Sequence, residues 1–174
     1  MYIVFAASEC APWVQTGGLA EVVGALPKAL VKLGHKVSVF IPYYRQVAKL
    51  APDAPVVLRS LTVPFSHYSR FAQILDGGAK DGVQLYFVAC PEMFDRESLY
   101  ATPSGDYLDN AERFGLFSRA VIEATKILGV PDVFHVHDWQ AAMLAVLLRS
   151  TYFFDPVLKS VPAVLTLHNV GYQG

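Results

Sequence analysis

Hydrophobic and polar positions alternate between two periods along this chain, and the changes of period mark its elements. Tyr2–Ala7 is a short apolar run that predicts a first strand, and Glu9–Gly18 reads as a loop. Apolar residues then recur at Leu19, Val22, Val23, Leu26, Leu30 and Leu33, near the 3.6-residue helical repeat, and Gly34 is a usual stop. Pro27 inside that pattern predicts a kink or a lost backbone hydrogen bond. Val37–Ile41 is the second strand, stopped by Pro42. The runs 56–65, 70–75 and 83–89 are β-rich, and the last two are joined by Asp76–Gly82. That spacing predicts a hairpin beside the main sheet. A long helix is expected over Asp106–Leu128, closed by Gly129. A buried strand (132–137), a helix (Trp139–Arg149) and another apolar strand from Ala163 complete a doubly wound, Rossmann-like α/β arrangement with a mostly parallel sheet.

The ends of the last two strands carry the chemistry. Asp132–Gln140 leaves its strand through His137, Asp138 and Trp139, and Ala163–Asn169 ends in His168-Asn169; packing alone asks for no such residues there. Open α/β sheets bind ligands outside the carboxyl ends of their strands, so the two exits are expected to meet at one pocket. Gln15-Thr16-Gly17-Gly18-Leu19, between the first strand and helix, reads either as a cradle for a diphosphate or sugar or as a tight turn. The three-glycine dinucleotide fingerprint is absent, which argues against NAD. His135 and His137 share a strand face, but no third ligand at metal spacing accompanies them, and His135 suits a hydrogen-bonded core position. Asp138 could cap the helix that follows, contact a ligand, or do both. Tyr43, Tyr44, Trp139 and Tyr172 offer faces for sugar stacking, or core and rim packing. Acidic residues near Asp109 complement the dipole of the long helix.

At 174 residues and 53% apolar, the chain is the size of one domain with a full core. Fourteen basic and fifteen acidic residues without charge blocks leave no footprint for a polyanion such as nucleic acid. Cys10 and Cys90 make neither a disulfide framework nor a zinc motif and fit a reducing cytoplasm. No run reaches the roughly 18 apolar residues of a membrane span. The chain stops just beyond a strand end that carries candidate site residues, so it is expected to be one part of a longer protein.

In their order and spacing the motifs resemble the bacterial glycogen synthase and plant starch synthase family. They run from Ser8-Glu9-Cys10-Ala11-Pro12 with Thr16-Gly17-Gly18-Leu19, through Gly24–Leu30, Gly34-His35, Pro42-Tyr43, Asp109-Asn110 and Arg113–Ala120, to His135–Gln140 and His168-Asn169 with Tyr172-Gln173-Gly174. The resemblance implies one lobe of a two-lobed GT-B retaining glucosyltransferase, the amino-terminal one, with a carboxy-terminal nucleotide-binding lobe absent from this chain. It implies transfer from ADP-glucose, less often UDP-glucose, to the non-reducing end of an α-1,4-glucan, without metal or cofactor. Asp138 and His168 would then be catalytic. Gln15, Thr16, Gly17, Gly18 and Asn169 would face the donor, and Glu9, Trp139 and Tyr172 the acceptor. Isolated, such a lobe should not turn over. Two departures stand out: the family usually has lysine where this chain has Gln15, and aspartate where it has Glu21. Losing a charge-assisted contact typically costs about 1.5–3 kcal/mol, so weaker donor binding is expected. A glucan-binding module without donor chemistry, or a related transferase with another donor, is the alternative.

Overall fold

A computed structural model describes residues 1–65 and 67–172; Gln173 and Gly174, part of the motif set above, lie outside it. The elements, in chain order, are β1 (Tyr2–Ala6), α1 (Gly18–Lys32), β2 (Lys36–Pro42), α2 (Arg45–Leu50), β3 (Val56–Pro64), β4 (Ser69–Lys80), β5 (Val83–Ala89), α3 (Pro91–Phe94), β6 (Ala101–Thr102), β7 (Gly105–Asp106), α4 (Asn110–Leu128), β8 (Val133–His137), α5 (Asp138–Arg149) and β9 (Ala163–Thr166). Seven strands form one sheet in the order β3-β4-β5-β2-β1-β8-β9. The β5-β2-β1-β8-β9 portion is parallel, and β3 and β4 add an antiparallel flank.

β1 lies at the centre, paired with β2 through Tyr2↔Lys36 to Ala6↔Phe40 and with β8 through Ile3↔Val133 to Ala6↔Val136. It is sealed on both faces, as parallel strands are, and Val4, Phe5 and Ala6 have no solvent exposure. From β1 the chain winds outward to β2, but it later returns on the opposite side to β8 and β9. The topological switch point therefore falls between β1 and β8. β9, at the sheet edge, leaves Val164 and Leu165 about half exposed, unlike the buried strands beside it.

Two expectations need correction. The hairpin connection is far shorter than Asp76–Gly82: β4 continues to Lys80, and only Asp81 (φ 54) and Gly82 (φ 79) turn. Both have positive φ, the condition for a tight two-residue hairpin turn that matches strand twist. The Gly77-Gly78 pair is not a turn; the ladder shifts register there, and a Cβ on Gly77 would lie 2.8 Å from Leu85. The long helix starts at Asn110, not Asp106, because residues 101–106 fold back as the β6-β7 hairpin and Asp109 pairs with Arg96. The helix α1 continues through Pro27, whose ring is buried and which, having no N–H, leaves one backbone hydrogen bond of that turn unmade, the second of the two outcomes expected for it. The stop at Gly34 is as expected: its φ is 86, its N–H donates to Val31 O, and the His35 N–H donates to Leu30 O, which together satisfy two terminal carbonyls. No helix among the described residues is long and apolar enough to cross a membrane.

The β4-β5 turn gives a stability test. Gly82→Ala combines a left-handed backbone with a Cβ placed 2.6 Å from Val31 Cγ1. A loss of about 1–3 kcal/mol in unfolding free energy is expected by urea titration.

Candidate active site

The exits of β1, β8 and β9, adjacent in the sheet, deliver Glu9, Asp138 and His168 to the rim of one cavity of about 530 Å³. Thr16, Gly17, Gly18, Trp139, Asn169 and Tyr172 also line it, so nine of the ten residues singled out from the sequence share this wall. Gln15 is the exception. It is exposed, and its Nε2 donates to Glu21 Oε1 at 3.2 Å, because it precedes the turn into α1 and its side chain lies along the outside of that turn.

Glu9 is buried, 3% exposed, and holds the loop rather than standing free. Its Oε2 accepts the Thr16 N–H at 2.5 Å, and its Oε1 accepts the Thr16 hydroxyl and the Tyr100 hydroxyl, each at 2.6 Å. Burial, followed by neighbouring Tyr44 and Glu9, pushes the Tyr100 phenol far above its ordinary pKa, so its proton stays available to the carboxylate. Tyr100 and Gln140 also line the cavity; Gln140 closes the His135–Gln140 motif without a role assigned to it there, and nothing in the sequence points to Tyr100. A tyrosine inside an irregular segment carries no periodic signal. It is placed by Arg113, itself fully buried, which donates to Met93 O, Leu99 O and Asn110 Oδ1 at 2.7–2.9 Å and so ties the segment before Tyr100 to α4.

Gly17 precedes α1 in extended conformation (φ −158), a backbone any residue adopts, and caps the helix with no side chain. A Cβ built on Gly17 or Gly18 would meet nothing within 4 Å. Protein packing thus gives no reason for either glycine, and the space above them belongs to the cavity. The N–H groups of the first turn of α1 border that space with the positive end of a 15-residue helix.

Asp138 does not cap α5 with its side chain. Its Oδ1 instead accepts the His168 backbone N–H at 2.6 Å, which ties the β8 exit to the β9 exit. Its own φ is 54, a left-handed conformation that costs a non-glycine residue energy and is concentrated at functional sites. His135, His137 and His168 form a stack with centroid spacings of 4.3 and 5.2 Å, and His137 Nδ1 lies 2.9 Å from His168 Nε2. Burial, and then the two neighbouring imidazoles, push His137 down to about 3. Burial also lowers His135, whose Nε2 meets Thr166 Oγ1 at 2.8 Å. Among the described residues, no three His, Cys, Asp or Glu side chains are arranged to hold a metal ion.

Trp139 packs edge-on against Phe114 and Tyr172 at centroid distances of 5.0 and 6.1 Å. The Tyr172 hydroxyl donates to Asp106 Oδ1 at 2.8 Å, and Asn169 Oδ1 accepts the Gly171 N–H at 3.0 Å. The cavity wall holds two carboxylates and one imidazole and no lysine or arginine.

Residues 2–174 match the starch synthase catalytic domain family. The chain belongs to that family. It is 61% identical over its full length to the glycogen synthase of Koribacter versatilis (strain Ellin345) and 42% identical to that of Bacillus subtilis (strain 168), covering 36% and 35% of those proteins. The chain thus spans about a third of the length of these curated relatives. The catalytic domain of starch synthase IV from Arabidopsis thaliana, solved bound to ADP and acarbose, superposes with a TM-score of 0.83 at 31% identity, over 98% of this chain and 34% of that one. The mostly parallel sheet is therefore that of a starch synthase GT-B lobe, with an antiparallel flank.

The neutral histidines of this starch synthase lobe make its stability sensitive to acid. The unfolded chain binds a proton at His137 near pH 6.5 and the folded one only near 3, so stability is complete above about 6.5 and falls as pH drops through that window. By pH 5 the loss from this group is about 2 kcal/mol. Urea midpoints measured between pH 7 and 5 should show it, and His137→Phe should flatten the slope.

Proposed function

We propose that the chain is the amino-terminal catalytic lobe of a glycogen synthase and supplies the acceptor-side half of its active site. The observation that carries this reading is the cavity in which two glycines with open space above them, at a helix N-terminus, face Asp138 and His168. The diphosphate of ADP-glucose lies over Gly17-Gly18, where free N–H groups and the helix dipole favour phosphate oxygens. The glucosyl unit sits between His168 and Asp138, with Thr16 and Asn169 on the donor side. Glu9, Trp139 and Tyr172 border the path of an α-1,4-glucan. The ADP and acarbose bound to the Arabidopsis enzyme support a nucleotide and a glucan-like sugar as ligands.

Transfer with retention proceeds by cleavage of the glucosyl–phosphate bond and attack of the acceptor hydroxyl on the same face, its proton passing to the departing diphosphate. The developing oxocarbenium character is stabilised by the Asp138 carboxylate, and the leaving charge by the dipole of α1. Because the cavity wall has no lysine or arginine, most of the charge neutralisation for the diphosphate comes from a second, carboxy-terminal lobe. Gln15 gives no support to a module devoid of donor chemistry, since its amide is bonded to Glu21 outside the cavity wall. The enzyme works in the cytoplasm, where its two buried thiols, Cys10 and Cys90, stay reduced.

The decisive assay is elongation of a maltooligosaccharide by the full-length protein supplied with ADP-glucose; no incorporation from ADP-glucose or UDP-glucose would refute the reading. The 174-residue chain alone should show no turnover in the same assay. In the full-length enzyme, Gly17→Ala should leave unfolding free energy within about 1 kcal/mol. The new methyl group should nevertheless raise the donor KM about tenfold, equivalent to ~1.4 kcal/mol.

A further inference from the structure

We infer that His137 is a positioning residue that sets the tautomer of His168, holding the His168 proton on Nδ1 so that the ring offers a donor to the cavity. His137 is fully buried, sandwiched in a run of rings in which Phe5 lies 5.4 Å away at 19° and His168 5.2 Å away at 18°. Its ring partners among the described residues are Phe5, His135 and His168, none of which carries a negative charge that would stabilise an imidazolium. Burial and the two adjacent imidazoles accordingly keep it neutral at physiological pH.

A neutral imidazole carries one proton, and two placements are available. With the proton on Nε2, His137 would bury an N–H that has no acceptor, since that atom is without a partner. With the proton on Nδ1, it donates across 2.9 Å to His168 Nε2 and leaves only a bare lone pair buried at Nε2. Orphaned buried N–H groups are rarer than unfilled acceptor sites, so the second arrangement wins. His168 Nε2 is then an acceptor, and its own proton must sit on Nδ1, the opposite of the tautomer histidine prefers in water. The Asp138 carboxylate fixes the backbone of His168 through the 2.6 Å bond to its N–H, so ring and backbone are clamped by consecutive residues at the β8–α5 junction. Nδ1 is the ring nitrogen left for a ligand, and as a donor it suits a sugar hydroxyl or phosphate oxygen. That last use rests on the glucosyl-transfer reading, whereas the tautomer itself does not.

Nitrogen-15 NMR of the histidine-labelled 174-residue chain at mildly alkaline pH reads the tautomer without any substrate. His168 should show a protonated Nδ1 and an unprotonated Nε2. His137→Phe, which removes the donor, should lower the Nδ1–H to Nε2–H ratio at His168 by about tenfold. His137→Asn, whose amide nitrogen falls near the position of Nδ1, should keep it. A wild-type spectrum with the His168 proton on Nε2 overturns the inference, whether or not the variants fold. So does a folded His137→Phe with the His168 tautomer unchanged. Absence of glucan elongation in the full-length protein would leave these spectra unaffected and would count only against the transfer reading.

Discussion

The central pairing of β1 with β2 on one side and β8 on the other is the constraint from which the site follows. Parallel strands in register end at the same level, so the residues just past β1, β8 and β9 emerge side by side. Because the chain winds away from β1 in one direction and returns in the other, the loops after β1 and β8 diverge and leave a crevice. Burial of Val4, Phe5, Ala6, Phe134 and Val136 makes that pairing costly to shift, because a one-residue slip would turn apolar side chains away from their packed layers.

On this frame, polar bonds between strand exits replace what loops alone would leave loose. Glu9 binds Thr16 and Tyr100 together, and Asp138 binds the backbone of His168. Both carboxylates stand at the cavity yet spend oxygens on protein donors, so each shapes the wall as well as charging it. Removing one would strand buried donors, a penalty typically of about 1–3 kcal/mol per group. Arg113 works one layer further out. Three carbonyl-type oxygens from two segments bind its Nε and Nη1, its Nη2 is buried without a partner among the described residues, and the rings of Tyr107 and Phe114 pack against it. Through it the irregular stretch before Tyr100 acquires a defined position without being a helix or a strand.

Electrostatically the site is one-sided. It has an acidic and aromatic wall and a helix N-terminus, and no side chain on the wall carries a permanent positive charge. Such a surface suits a neutral polyhydroxylated ligand and tolerates a diphosphate only beside cations from elsewhere.

Apolar runs marked the parallel strands and the helical repeat marked the body of α1 and α4, since each such segment carries apolar side chains that gain by burial. The polar residues at strand ends marked the site for the converse reason: no packing role accounts for them there. Local signals failed where a residue answered to a distant partner. Gly77 and Gly78 look like a turn but form a bulge beneath Leu85, Asp106 belongs to a hairpin rather than to a helix, and Asp138 bonds His168 thirty residues on rather than its own helix. Gln15 has the sequence position of a phosphate contact, yet Glu21 one turn into α1 takes its amide. Tyr100, the orientation of Glu9 and the order of the histidine stack were decided only by tertiary structure. Each depends on contacts across tens of residues, and hydrogen bonds between side chains leave no periodic trace in the chain that makes them.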